Sequence, residues 1–176
     1  INARCEQLRK QVNIADTSYE KEKLQDRIAK LAGGQAYVES AAEFMVFCAD
    51  LKRPANYCDE YEKSFEGDYT EHFIIATVDV ALMAQSMVTA AESVGLGICY
   101  IGGIRNDPAQ VAQLLELPKG VYPVFGLCLG YPDQDPEVKP RLPLSVIVKE
   151  EVYNEAGDKQ AIAEYDEDIR EYYRLR

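Results

Sequence analysis

Two short segments of the 176-residue chain combine residue types that suit the binding of a flat or anionic ligand. In the first segment, the apolar run Ile98–Ile101 ends in the pair Gly102-Gly103. Adjacent glycines lack a Cβ, so backbone N–H groups at the end of a strand can approach a ligand closely. The same pair would also serve as an ordinary turn between a strand and the next helix, and the pattern leaves both interpretations open.

The second segment, VKPRLP at residues 138–143, carries Lys139 and Arg141 on either side of one proline. The formal net charge of the chain is −11, so two neighbouring cations in a turn-rich stretch are unusual for it. Such a pair suits a phosphate group, with the lysine as a point charge and the arginine as a planar fork. The alternative is that both are solvated loop charges, and the residue types do not decide between the two.

Three apolar runs predict the strands that would position these segments. Residues 42–51 and 121–129 are nearly continuous apolar stretches, which is typical of buried strands. Residues 98–104 predict a third strand, with the glycine pair near its end. Short connections between the elements favour neighbouring positions in one fold.

Four further segments predict helices or loops. Residues 70–94 are apolar almost all round, which predicts a long helix buried centrally or at a subunit interface. Residues 108–115 predict a short helix with Asp107 as its N-cap. Residues 161–176 predict an acidic helix with one apolar side. Residues 53–67 are expected to form a loop whose aromatic side chains cover either a ligand or the core.

Composition limits the classes of function. With 47% apolar residues, the chain can form one compact domain, and an isoelectric point near 4.6 argues against nucleic acid as a main partner. No run of 18 apolar residues and no signal-peptide pattern occurs, which predicts a cytoplasmic protein without a membrane partner. The cysteines lack metal-type spacing and suit reduced, buried thiols; they stand at positions 5, 48, 58, 99 and 128.

The first 34 residues differ in character from the rest. Residues 17–20 have the T-x-x-E form of a capping box, and Gly33-Gly34 would end the helix that follows. The segment TSYEKEKLQDRIAKLAGG resembles the paired-helix segment of the large bacterial chaperonins. The resemblance implies a helical hairpin over residues 1–34, without the chaperonin ATP site, followed by a separate domain over residues 35–176.

A broader resemblance covers about residues 33–173. The segments that carry it are AGGQAYVESAAEFMVFCADL, VDVALMAQSMVTAAESVGLGICYIGGIRND, VYPVFGLCLGYPDQDPEVKPRLP and YDEDIREYY. In order and spacing they resemble the oxygen-insensitive NADPH nitroreductases and related flavin reductases. The resemblance implies an α+β fold with a mixed sheet flanked by helices. It also implies a homodimer that binds FMN at the subunit interface and passes hydride from NADPH through the flavin to nitroaromatics, quinones or flavins.

The same resemblance assigns roles to individual residues. It gives Gln35 a hydrogen bond to the flavin ring, and it gives Lys139 and Arg141 the FMN phosphate. Arg105 would bind the NADPH phosphate or an anionic acceptor. The strand end against the isoalloxazine would consist of Tyr100, Ile101, Gly102 and Gly103. The resemblance implies no catalytic side chain and no metal ligand, because the flavin itself takes and gives the hydride.

The sequence also departs from this family. Members begin with a helix and a basic H-R-S-I-R segment, followed by a serine-rich loop, and neither motif occurs here. The family's C-terminal extension is also missing, so a chimera or a truncated member with an incomplete flavin site is expected. Three functions therefore stay open: an FMN-dependent NAD(P)H oxidoreductase, a non-catalytic scaffold derived from the nitroreductase fold, and a chaperonin-related binding module.

Overall fold

The computed structural model describes residues 36–174, so the predicted hairpin over residues 1–34 and Gln35 lie outside the described residues. The described part divides into two compact units, one ending at Pro132 and the other beginning at Asp133. The first unit contains a three-stranded sheet with its helices. The second contains an extended segment followed by two helices.

The sheet of the first unit has the strand order β1-β3-β2. Its strands are β1 (Glu43–Asp50), β2 (Gly97–Ile101) and β3 (Val121–Gly130). Both pairings are antiparallel, so β3 is the central strand although it comes last in the sequence. Helices and an antiparallel sheet together confirm the predicted α+β class.

The three predicted strands are confirmed, with two local differences. Strand β2 ends at Ile101, earlier than predicted, because the chain turns there into the 3-10 helix Gly103–Arg105. The central strand contains Pro123, which has no N–H to donate to a neighbouring strand. This residue lies opposite Cys48 next to an irregularity in the β1–β3 register, and β2 pairs only with the later part of β3. Pro123 therefore lies outside the β2–β3 pairing, and in the β1–β3 pairing it falls where the register is already irregular.

In the first unit, the two predicted helices are confirmed, and two further helices were not predicted. In chain order, the helices are α1 (Ala36–Ser40), α2 (Lys52–Glu60), α3 (Thr70–Ser93) and α4 (Pro108–Leu114). The prediction of a loop beginning at residue 53 was wrong for α2. Pro54, which suggested the loop, occupies the first turn, where a backbone N–H has no partner within the helix. The Asp50 carboxylate accepts a hydrogen bond from the backbone N–H of Arg53 at 3.0 Å and supports this start.

The long helix α3 packs on one face of the sheet. A stripe of small or β-branched side chains is buried against it, namely Ala76, Val80, Ala84, Val88 and Ala91. The first four of these belong to the main hydrophobic cluster together with Phe47, Ala49 and Leu127. By length and composition alone α3 could cross a membrane. One face of the helix packs on the sheet, and large apolar side chains on the rest of it are exposed.

The opposite face of the sheet packs on α1, the 3-10 helix and α4. Val38 of α1 contacts Ile101 and Cys128 in one cluster, and Ile104 contacts Val111 of α4 in another. Asp107 caps α4 as predicted, because its side chain accepts a hydrogen bond from the backbone N–H of Gln110 at 2.9 Å. The turn after β2 is thus fixed by buried apolar contacts.

In the second unit, residues 133–143, which precede the helices, have no regular structure. The helices are α5 (Leu144–Ile147) and α6 (Asp158–Arg174). Lys149 connects them, because its ammonium donates to the Ser145 carbonyl at 3.0 Å and forms an ion pair with Asp158. Both side chains of the ion pair are largely covered, so it holds the start of α6 against the end of α5.

Candidate functional site

The end of β2 is fixed from both faces of the sheet. Ile101 is completely buried, whereas the Tyr100 side chain lies on the α3 side and is 41% exposed. The Tyr100 hydroxyl donates to Oε1 of Gln85 at 3.4 Å, and its ring meets that of Phe125 edge-on at 5.3 Å. The backbone that leads into the glycine pair therefore has little freedom.

Gly102 lies close to the end of the Arg105 side chain, and its backbone conformation does not call for glycine. Its φ of −81° is open to any residue. A Cβ at this position would lie 2.9 Å from Nη2 of Arg105, tighter than real Cβ contacts. The guanidinium thus occupies the space in which a side chain at Gly102 would begin.

Arg105 also ties the turn to the central strand. Its Nη1 donates a hydrogen bond to the carbonyl oxygen of Val124 at 2.9 Å. Its backbone N–H donates to the Gly102 carbonyl at 3.0 Å, which closes the 3-10 turn. Arg105 therefore holds the glycine pair in place, and its predicted role in substrate binding stays a prediction.

Gly126 of β3 lies at the centre of the sheet, opposite Val46 of β1 and Ile101 of β2. A Cβ at this position would overlap the ring of Phe44 and lie 3.3 Å from Cβ of Ile101. The aromatic ring can cross the central strand only because Gly126 has no side chain. Neither this contact nor the Arg105–Val124 hydrogen bond has a signal in the sequence, since both depend on strand register.

The first cation of the second unit, Lys139, is partly covered by α6. Its ammonium donates a hydrogen bond to the Tyr173 hydroxyl at 2.6 Å and lies 5.0 Å from the centre of that ring. This hydrogen bond raises the pKa of Lys139, so the side chain stays charged at neutral pH. A lysine ammonium has three donors, and the bond to Tyr173 leaves the others for a ligand.

Among residues 36–174, neither predicted phosphate ligand is paired with an acidic side chain. Within residues 36–174, no carboxylate forms an ion pair with Lys139 or with the exposed Arg141. Other arginines of these residues do pair, such as Arg170 with Glu167 and Arg174 with Glu171. Two neighbouring cations without a carboxylate partner fit the phosphate of a cofactor such as FMN.

The structure brings part of the predicted set together. Five residues form one continuous segment of the first unit, namely Tyr100, Ile101, Gly102, Gly103 and Arg105. Lys139 and Arg141 lie close in sequence in the second unit. Across the described part of the chain, no group of three or more metal-ligating side chains occurs. Within each unit the predicted residues are thus close together, and their role in binding a cofactor stays a prediction.

Comparison with known proteins gives the family directly. The model of the nitroreductase family matches residues 8–131, and the model of the nitroreductase family C-terminal domain matches residues 139–176. The first match begins inside the segment predicted as a hairpin, and the chaperonin-like hairpin stays a prediction for residues outside the described range. The two matches together include every predicted site residue.

Two curated relatives illustrate the similarity. The NADPH-flavin oxidoreductase of Vibrio harveyi is 50% identical over 151 residues, which cover 86% of this chain and 61% of that protein. The oxygen-insensitive NADPH nitroreductase of Salmonella typhimurium is 46% identical over 153 residues, which cover 87% of this chain and 62% of that protein. The chain thus spans about six tenths of the length of the curated relatives that it matches.

Solved structures agree with these relatives in fold. Nitroreductase A from Vibrio parahaemolyticus has a TM-score of 0.80 at 48% identity, with 88% of this chain and 63% of that chain covered. The NADPH:FMN oxidoreductase from Vibrio harveyi, solved in complex with NAD+, has a TM-score of 0.78 at 50% identity, with 85% and 63% covered. On the match of its family model to most of the sequence, the chain belongs to the nitroreductase family.

Proposed function

We propose that the chain is part of an FMN-dependent NAD(P)H oxidoreductase that reduces nitroaromatics, quinones or flavins. Its similarity to proteins named NADPH-flavin oxidoreductase, oxygen-insensitive NADPH nitroreductase and FMN reductase (NADPH) supports this proposal. The single observation that carries it within the structure is the pair Lys139 and Arg141, two cations that no carboxylate neutralises among the described residues. They suit the phosphate group that distinguishes FMN from uncharged flavins.

In this proposal, FMN supplies hydride transfer when it is bound, and the side chains position it. The backbone from Tyr100 to Gly103 is proposed to lie against the flavin ring, with the Arg105 guanidinium beside Gly102 at the same edge. Arg105 fixes that edge through its bond to Val124. Gln35 is proposed to donate to the ring. Lys139 and Arg141 are proposed to bind the phosphate, where charge-assisted hydrogen bonds are strong.

Arg105 has a second proposed role. Its guanidinium keeps a positive charge at the surface beside the glycine pair, because the Arg105 residue is exposed although Nη1 is bonded to a carbonyl. A fixed, exposed guanidinium can attract the phosphate of NADPH or an anionic electron acceptor. The role supplements its positioning of the turn and does not replace it.

We further propose that the protein is a cytoplasmic homodimer. Helix α3 leaves a row of large apolar side chains between 46% and 64% exposed, at Ile74, Ile75, Val78, Leu82 and Met83. A continuous apolar helix face of this kind suits burial against a second copy. The cysteines of residues 36–174 are free thiols, which fits a reducing compartment.

Residues 1–34 are proposed to form a helical hairpin ahead of this domain, on the strength of the capping-box pattern.

An absorbance spectrum of the purified protein tests the proposed function. The spectrum is recorded before and after addition of FMN and removal of free flavin by desalting. We expect a retained flavin band with shifted maxima, followed by oxidation of NADPH when a quinone is supplied. A protein that stays colourless after this treatment would overturn the proposal and favour the non-catalytic, nitroreductase-derived fold.

A further inference from the structure

Two cysteines of the sheet lie directly opposite each other. Cys99 of β2 is the register partner of Cys128 of β3, and both belong to the same apolar cluster. Cys128 is 4% exposed, whereas Cys99 is only half-buried, and both are free thiols. Paired residues of an antiparallel ladder project from the same face of the sheet, so the two sulfur atoms share one environment.

The spacing of an antiparallel pair is compatible with a disulfide. Opposed residues have Cα atoms about 4.5 to 5.5 Å apart. Disulfides connect Cα atoms about 4.4 to 6.8 Å apart, so the strands need not separate for the bond to form. From this juxtaposition we propose that Cys99 and Cys128 are a redox-modification site, which forms a reversible cross-strand disulfide on exposure to a peroxide.

The chemistry needs one peroxide and no metal. The Cys99 thiolate attacks one oxygen of hydrogen peroxide, the O–O bond breaks, and the released hydroxide takes a proton to leave as water. The sulfur of Cys128 then attacks the sulfenic sulfur of Cys99, loses its proton, and expels a second water. Two thiols and one peroxide thus give one disulfide and two waters.

The two thiols differ in a way that sets the order of these steps. Burial, followed by the neighbouring Cys99, raises the pKa of Cys128 to about 11, so little thiolate is present there at neutral pH. A thiol of this kind reacts slowly with peroxide, because the thiolate is the reactive form. The half-buried Cys99 is therefore the thiol that meets the oxidant, and Cys128 is the one that resolves it.

The site acts on the segment that leads to the glycine pair. Strand β2 continues into Gly102 within three residues of Cys99, and a bond to β3 would attach this strand covalently to the centre of the sheet. The proposal stands independently of flavin binding, because it depends only on the register of two strands.

Two other cysteines provide matched controls. Cys48 on β1 has Pro123 as its register partner, and Cys58 lies in α2. Neither faces another cysteine across the two described strand pairings. A double variant, Cys48→Ser with Cys58→Ser, should therefore behave as the parent chain does.

Peptide mapping of the full chain tests the proposal. The protein is treated with a small excess of hydrogen peroxide, free thiols are alkylated, and the chain is digested with trypsin without reduction. We expect residues 64–105 linked to residues 120–141, with about 2 Da less than the two peptides together, since two hydrogens are lost. Dithiothreitol should release both peptides, and the control double variant should give the same link.

Two further variants make the outcome decisive. Cys99→Ser, whose side chain is half-exposed and whose folding is checked by a cooperative thermal transition, should lose the link completely. Cys128→Ala should accumulate sulfenic acid at Cys99, which dimedone traps. The proposal is overturned if oxidised parent protein carries sulfinic or sulfonic acid on Cys99 without a linked peptide, or if the link forms equally with Cys48.

Discussion

Nη1 of Arg105 donates a hydrogen bond to the carbonyl oxygen of Val124 at 2.9 Å, across the turn that follows β2. The bond connects the second residue after the glycine pair to the central strand. Nη2 of the same side chain lies beside Gly102, 2.9 Å from where a Cβ would stand. Arg105 is thus a positioning residue for this edge of the sheet.

Arg105→Ala should lower the free energy of unfolding by about 1.5 kcal/mol, the low end for a charged donor because the side chain is exposed. Chemical denaturation measures this change, and the Kd for FMN should rise with it as the glycine edge loosens. Arg53→Ala is the control, since its exposed ion pair with Asp50 should contribute less than about 1 kcal/mol. Equal, small losses in both variants would show that Arg105 does not hold the turn.

Gly126→Ala should destabilise the protein by about 1 to 3 kcal/mol, because the new methyl group overlaps the ring of Phe44. Thermal and chemical denaturation measure the loss. A double-mutant cycle with Phe44→Leu isolates the clash, and the alanine should cost clearly less in the Phe44→Leu background. An unchanged cost in that background would assign the effect to another contact.

Arg141→Ala should weaken FMN binding about 10-fold to 150-fold, the equivalent of a charge-assisted hydrogen bond of roughly 1.5 to 3 kcal/mol. Quenching of flavin fluorescence gives the Kd. Arg170→Ala, which removes an arginine already paired with Glu167 in the same unit, is the matched control and should leave the Kd unchanged. If FMN affinity survives Arg141→Ala, the phosphate lies elsewhere.

Leu82→Glu should convert the homodimer into monomers. Leu82 is 64% exposed in the single chain and lies in the apolar row of α3, so burial of a carboxylate there in a dimer is costly. Analytical ultracentrifugation at several concentrations measures the state. Val94→Glu places the same charge on an apolar residue, 70% exposed, just beyond the helix, and should leave the dimer intact. A dimer that tolerates Leu82→Glu would exclude this face.

The Cys48 thiol should make the free energy of unfolding fall as pH rises from 9 to 11. Burial, with a smaller contribution from Asp50, raises the pKa of this thiol from its ordinary value of 9.0 to about 11. The folded state thus binds the proton more tightly than the unfolded chain, so this contribution is complete below pH 9 and is lost as pH rises towards 11. The fall in unfolding free energy from pH 9 to pH 11 should be smaller in Cys48→Ala than in Cys58→Ala. Equal slopes would contradict the assignment.

The sequence predicted those features that local pattern determines. The apolar runs predicted all three strands, and Asp107 followed by Pro108 predicted the start of α4, because a cap and a first-turn proline act within one turn. The loop predicted at Pro54 was wrong because that prediction also used local pattern alone. A proline favours a loop and the first turn of a helix alike, and only the Asp50 side chain and the chain that follows distinguish them.

The features that depend on register could not be predicted. The Arg105–Val124 bond, the ring of Phe44 across Gly126 and the pairing of Cys99 with Cys128 each join residues from separate elements. No spacing in the sequence encodes which residue of β2 lies opposite which residue of β3. Residue types and the family resemblance both indicated Lys139 and Arg141, but their lack of acidic partners within residues 36–174 and the bond from Lys139 to Tyr173 came from the structure.

The central position of β3 has a consequence for how the chain is made. Both neighbours of β3 precede it in the sequence, and Glu43 pairs with Leu129 near the very end of that strand. On a ribosome, β1 and β2 therefore emerge with no strand to pair with until the residues around Gly130 have left the exit tunnel. Until then the apolar surface of α3 also has no sheet to cover it. Sheet formation is thus a late and non-local event, of the kind that slows folding and exposes a nascent chain to aggregation.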